Sequence, residues 1–122
     1  MKHALPALAP KGKAVFATLS ARVGSIGDNH LGGWYGYRAS KSALNQLVRK
    51  AAIELKRRRP AALCVALHPG TVQTALSSPF SKDRLEVHTP QTSAKRLLGV
   101  LDDLSADQSG LFFDHLGVTI PW

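Results

Sequence analysis

The run Ala61-Ala62-Leu63-Cys64-Val65-Ala66-Leu67 has no polar residue at any position. A strand that alternates apolar and polar residues can face water on one side. One that does not alternate must be covered on both faces, which is the situation of a parallel sheet with helices above and below. Ala14-Val15-Phe16-Ala17-Thr18-Leu19 is a second such run, interrupted only by Thr18. Between the two runs the period changes. From about Tyr37 to Arg57, Leu44, Leu47, Val48, Ala51 and Leu55 fall at i, i+3, i+4, i+7 and i+11, one apolar helical stripe, and Pro60 stops the helix. Thr89 before Pro90 reads as an N-cap followed by proline at the first helical position. Ala94, Leu97, Leu98, Leu101 and Leu104 then supply the apolar face of a second helix. Gly110 opens a short third strand, Leu111-Phe112-Phe113. Strand, helix, strand, helix, strand predicts an α/β fold with a parallel sheet and right-handed crossovers.

At 122 residues the chain has the length of one domain, residues 1–122, with no internal repeat. Its net charge of +8 raises the question of nucleic acid. However, four of the sixteen basic residues form one run, Lys56-Arg57-Arg58-Arg59, without interleaved aromatics, at the end of the expected first helix. Cations there complement the helix dipole and stay solvated, so no nucleic-acid partner is expected. No stretch is apolar enough to span a membrane and the first residues contain no secretory core. The single cysteine, Cys64, lies inside an apolar run and cannot form an internal disulfide. A soluble protein of the reducing cytoplasm is the expectation. The five histidines show no ligand spacing, so no metal is expected. Met1 to Pro10 reads like the tail of a helix, and the first strand has no obvious parallel neighbour before it.

Tyr37-Arg38-Ala39-Ser40-Lys41 sets a phenol and an ammonium four apart, on one helix face. A nearby cation favours phenolate, and such a tyrosine serves as general acid or base closer to neutral pH. The spacing alone is also that of any solvated helix face. The surrounding residues are more specific. Gly33-Trp34-Tyr35-Gly36-Tyr37-Arg38-Ala39-Ser40-Lys41-Ser42-Ala43-Leu44-Asn45 resembles the active-site helix of short-chain dehydrogenase/reductases, whose YxxxK signature Tyr37 and Lys41 match. His68-Pro69-Gly70-Thr71-Val72-Gln73-Thr74 is similar to that family's PGxVxT turn, and Phe16 to Ser25 to its serine-bearing strand. Ser20-Ala21-Arg22-Val23-Gly24-Ser25 followed by Gly32-Gly33-Trp34-Tyr35 looks closest to the C-factor and Sniffer-like carbonyl reductase branch.

The resemblance implies the C-terminal half of a Rossmann-like, doubly wound parallel sheet that lacks the glycine-rich N-terminal βαβ units. It implies an NAD(P)-dependent oxidoreductase acting on a carbonyl or alcohol, with the choice between NAD and NADP open. Tyr37 would exchange the proton and Lys41 would assist it and hold the nicotinamide ribose. Pro69, Gly70, Val72 and Thr74 would line the nicotinamide end. Ser20, with Ser25 as the alternative, would supply the hydroxyl, because the family's usual serine position is Ala21 here. Trp34 and Phe80 are aromatic candidates for the border of the substrate pocket. No GxxxGxG or GxGxxG occurs, so weak or absent activity of the isolated chain is expected. The rival expectation is a non-enzymatic α/β module. In either case a homo-oligomer, or a complementary N-terminal segment, is expected on the first strand's open edge or on the long helix.

Overall fold

The computed structural model describes residues 1, 3–73 and 87–122 of the chain. Three strands, β1 (Ala14–Leu19), β2 (Ala62–His68) and β5 (Phe112–Asp114), form one sheet in the order β1-β2-β5. Both pairings are parallel, with Ala14 opposite Ala62 through Leu19 opposite Leu67, and Ala66 opposite Phe112 through His68 opposite Asp114. Two helices flank it, α1 (Tyr35–Arg58) and α2 (Pro90–Asp103). Two-residue strands β3 (Thr71–Val72) and β4 (Val87–His88) make a separate parallel ladder just beyond β2. Among the described residues of Met1 to Pro10, where the tail of a helix is expected, the one helical element is a 3-10 turn, Leu5–Ala7.

Side chains alternate across a strand, and here the alternation divides the core in two. Ala62, Cys64 and Ala66 of β2 point to one face, where Phe112 joins them and Val48, Ala51, Ala52 and Leu55 of α1 cover them. Leu63, Val65 and Leu67 point to the other, packing with Phe113 and with Leu97 and Val100 of α2 and Leu104 beyond it. Small residues on the α1 side leave the volume there to the side chains of the long helix, and larger ones fill the α2 side. Every apolar residue of β2 is thus buried, as its unbroken apolar sequence requires.

Three expectations need correction. The buried stripe of α2 is Ser93, Leu97, Val100 and then Leu104, while Leu98 is 62% exposed and Ala94 faces solvent. The apolar residues there admit two neighbouring stripes, and packing against Leu63, Val65, Leu67 and Phe113 selects the one containing Val100. Similarly, Leu47 of α1 is 55% exposed, whereas the polar Asn45 is buried. The crossovers are not both right-handed either. Both step in the same direction across the sheet, yet α1 and α2 lie on opposite faces, so the two connections have opposite hands. The preference arises in tight strand–helix–strand units. The second connection runs from Pro69 to Leu111 and includes the β3–β4 ladder, which relaxes that constraint.

The C-terminus folds back on β5: Thr119 bridges Phe113, Ile120 N donates to Phe112 O, and Trp122 stacks on Phe112 at 5.7 Å. Leu63→Ala, at a fully buried position of the central strand, is expected to destabilise the fold by about 2–5 kcal/mol. Leu98→Ala should stay within about 0.5 kcal/mol of the wild type. Urea denaturation of both variants checks this, and equal losses would mean that α2 presents a different face to the sheet.

Candidate active site

The loop after β1 begins with a 3-10 turn, Arg22–Gly24, that lies on α1. A Cβ at Gly24 would come within 2.6 Å of Lys41 Cβ and 2.8 Å of its carbonyl carbon, so only glycine fits there. The contact is held by polar groups. Gly24 O accepts from Ser42 Oγ at 2.8 Å and from Asn45 Nδ2 at 3.1 Å. Asn45 Oδ1 in turn accepts the Ser20 hydroxyl at 2.6 Å, and Ser20 and Asn45 are both buried. Strand end, turn and helix are therefore joined by one buried amide.

This junction sets the position of the tyrosine and lysine. Lys41 Nζ donates to Leu19 O, the last carbonyl of β1, at 3.2 Å. Its ammonium lies 5.8 Å from the centre of the Tyr37 ring, one turn earlier on α1. Tyr37 is 46% exposed, open to a reactant from solvent. Arg38, between them, turns the other way: its Nε donates to Gly32 O and Gly33 O, both at 3.0 Å, and its Nη1 to Val23 O at 3.2 Å. It gathers the long loop against the start of the helix, where Trp34 adopts a left-handed conformation with φ 48°. Trp34 is 60% exposed at that entrance.

Ser20 N donates to Leu67 O, so β1 and β2 end at the same level, and Pro69 and Gly70 follow directly. Tyr37, Lys41, Ser20 and the Pro69-Gly70 turn thus share the C-terminal edge of the sheet. Ser93 Oγ donates to Pro69 O at 3.0 Å. Gly70 has φ +76°, and a Cβ there would press on the rings of His115 and His88 at 3.0 and 3.2 Å. Val72 lies in β3, paired with His88. Thr74 and Phe80 fall outside the described residues. Ser25 is buried; its hydroxyl donates to Pro121 O and accepts from Asp28 N at 2.9 Å, tying the loop to the C-terminus.

Sequence reasoning gave no role to Gly24, Asn45 or Arg38, nor to a histidine group behind the turn. His88 Nε2 lies 3.3 Å from His115 Nε2 and 3.1 Å from Arg96 Nη1. Asp114, buried at the end of β5, pairs with Arg22 at 3.0 Å. The spacing of Asn45 from Val48 and Ala52, three and seven residues on, was the only available signal, since it places a polar residue on the buried side of α1. The others are contacts between distant segments.

No family model matches the chain. It is 38% identical to the C-signal of Myxococcus xanthus over 118 residues, covering 97% of this chain and 67% of that protein. It is 36% identical over 104 residues to 1-hydroxy-2-glutathionyl-2-methyl-3-butene dehydrogenase of Rhodococcus sp. strain AD45, covering 85% of this chain and 45% of that one. Among solved structures, carbonyl reductase Sniffer of D. melanogaster superposes with a TM-score of 0.77 at 34% identity, over 93% of this chain and 44% of that chain. An NADPH-bound carbonyl reductase from chicken fatty liver does so with a TM-score of 0.75 at 35% identity, over 89% and 43%. The chain therefore spans two-thirds of the C-signal and less than half of these other relatives.

Burial, and then the charges of Arg22 and His115, push His68 from 6.5 down to about 4, against a smaller upward pull from Asp114. The unfolded chain takes up this proton near pH 6.5 and the folded one only near pH 4, so stability should fall as pH drops through that window. The loss is on the order of 2–3 kcal/mol, and His68→Gln should remove most of it. Denaturation midpoints at about pH 7 and about pH 4.5 measure it. A variant with the wild-type pH dependence would assign the effect elsewhere.

Proposed function

Because the chain belongs to the short-chain dehydrogenase/reductase family, we propose that it carries the proton-transfer half of an NAD(P)-dependent oxidoreductase acting on a carbonyl or alcohol. The observation that carries the reading is Lys41 donating to the last carbonyl of β1 while its ammonium stands 5.8 Å from the Tyr37 ring. A lysine ammonium has three N–H donors, and the bond to Leu19 O uses one. The others remain for the nicotinamide ribose and for the side of Tyr37.

In this reading Tyr37 Oη moves the proton to or from the substrate oxygen. Lys41 stabilises the negative charge that develops on the phenol. Pro69, Gly70, Val72 and Thr74 border the nicotinamide end, where the absence of a side chain at Gly70 lets the turn lie against the rings of His115 and His88. Those residue types suit the ribose and nicotinamide, whereas no glycine-rich turn in the 122 residues suits the pyrophosphate. The cofactor, when bound, supplies the hydride. Ser20 enters as the hydroxyl partner of the substrate oxygen only if its bond to Asn45 opens. The buried, single cysteine, its thiol pushed up to about 11 by burial, fits a reducing cytoplasm.

A second reading, a non-enzymatic α/β module, is favoured by a specific observation: Ala21 carries no hydroxyl, and those of Ser20 and Ser25 are both buried in bonds to other groups. In that case the edge of β1, paired only with β2 among the described residues, is the natural seat for another copy or a complementary segment.

The two readings separate in a fusion of this chain behind the glycine-rich half of a Sniffer-type reductase, assayed for NADPH oxidation with a panel of aldehydes and ketones. The oxidoreductase reading expects turnover that Tyr37→Phe lowers about 10²–10⁴-fold without changing NADPH binding. Turnover indifferent to Tyr37 would end that reading, and a fusion that binds NADPH but reduces nothing would favour the module.

A further inference from the structure

Behind the Pro69-Gly70 turn, two imidazoles and a guanidinium meet at one point. His88 Nε2 stands 3.3 Å from His115 Nε2, with the ring centres 4.8 Å apart, and 3.1 Å from Arg96 Nη1. The three come from different elements: the end of β4, the segment after β5 and the middle of α2. A guanidinium only donates, so His88 Nε2 accepts and its ring carries its single proton on Nδ1. Arg96 Nη1 is farther from that nitrogen, at 3.5 Å, as the assignment requires. His115 Nε2 faces the same lone pair and is the donor of the imidazole pair. The arrangement therefore exists only while His88 is neutral. A proton added at its Nε2 would set an N–H against two donors and an imidazolium against a guanidinium. His88 is buried, which limits the water that could screen this repulsion. Among the other described residues, His68 of β2, kept neutral by burial and then by Arg22 and His115, adds no charge. Asp114 of β5 spends its carboxylate on Arg22 and on the amides of Leu116 and Val118.

What this cluster holds in place follows from the backbone. His88 pairs with Val72, its carbonyl accepts from Gln73 N at 2.9 Å, and it directly precedes Thr89, the N-cap of α2. Gly70 lies against both rings. We propose that His88, His115 and Arg96 form a pH-sensitive clasp, closed while His88 is neutral and opened by its protonation, which releases β3 and the Gly70 turn from β4. Histidine is the side chain suited to such a change between about pH 5 and 8. The opening is local and distinct from the loss of global stability assigned to His68. If the turn seats the nicotinamide, as the reading above has it, acid loosens that seat; the clasp itself does not rest on that reading.

The test is amide hydrogen exchange, followed by NMR, in the purified chain carrying His68→Gln, so that the histidine of β2 does not titrate. The Gln73 amide reports the β3–β4 ladder, and the Ala66 amide, bound to Leu111 O, reports the main sheet. Between about pH 7.5 and about pH 5, protection of Gln73 relative to Ala66 should fall at least ~10-fold. His88→Gln keeps an acceptor for Arg96 but has no titrating nitrogen, and should make the ratio independent of pH. Should that variant fold poorly, Arg96→Met, at a half-buried position, tests the same point, because without the facing cation the fall should be smaller. A ratio that does not change with pH in the parent, or an undiminished fall in Arg96→Met, would overturn the proposal. So would an equal fall in His88→Gln, which would assign the proton to another group such as Asp83 or Glu86, both outside the described residues.

Discussion

The approach of Gly24 to the backbone of Lys41 is the contact on which the arrangement of the sheet's C-terminal edge depends. Without it the loop after β1 would stand away from α1 by the depth of a side chain. The amide of Asn45 would then lose the carbonyl to which it donates. Because Asn45 also accepts from Ser20, one buried side chain fixes both the end of a strand and the helix that carries Tyr37 and Lys41. A buried amide joined to two partners is stabilising only while both are present, since a polar group left alone inside is costly. Strand end, turn and helix must therefore move together.

The sheet supports that junction through volume. Alanine and cysteine on the α1 face of β2 leave the volume there to the side chains of the long helix, whereas leucine and valine fill the α2 face. The C-terminal segment completes the enclosure: Ile120 and Trp122 close the α1 side of β5, and Pro121 O receives the hydroxyl of Ser25. The loop is thus fastened at both ends, by Arg38 to the helix start and by Ser25 to the chain terminus.

Much of this was legible in the sequence where the cause is local. The apolar runs marked β1 and β2 to within a residue, but the two-sided burial expected of both holds only for β2; in β1 no residue is buried and Leu19 is 59% exposed. Thr89 and Pro90 marked the start of α2, and Thr89 does accept from Thr92 N at 3.1 Å. The pattern in α2 was less decisive, since Leu98 could have faced the sheet as well as Val100, and only packing chooses. Gly24 could be quoted in a motif, but its distance to Lys41 belongs to two segments folded together. The same holds for Arg22 with Asp114, and for His88 with His115 and Arg96. Ser20 and Ser25 were candidates because hydroxyls near a strand end are chemically useful, and sequence does not reveal what such hydroxyls touch.

The account is tested most directly by comparing two glycines near the start of α1. A Cβ at Gly24 meets the helix backbone, whereas a Cβ at Gly36, inside α1, meets nothing within 4 Å. Urea denaturation should find Gly24→Ala destabilised by about 1–3 kcal/mol, the range for forcing extra volume into a packed contact. Gly36→Ala should be stabilised by about 0.5–1 kcal/mol, through helix propensity. If Gly24→Ala is tolerated as well as Gly36→Ala, the turn does not rest on α1 as described, and the placement of Tyr37 and Lys41 beside the end of β1 loses its physical basis.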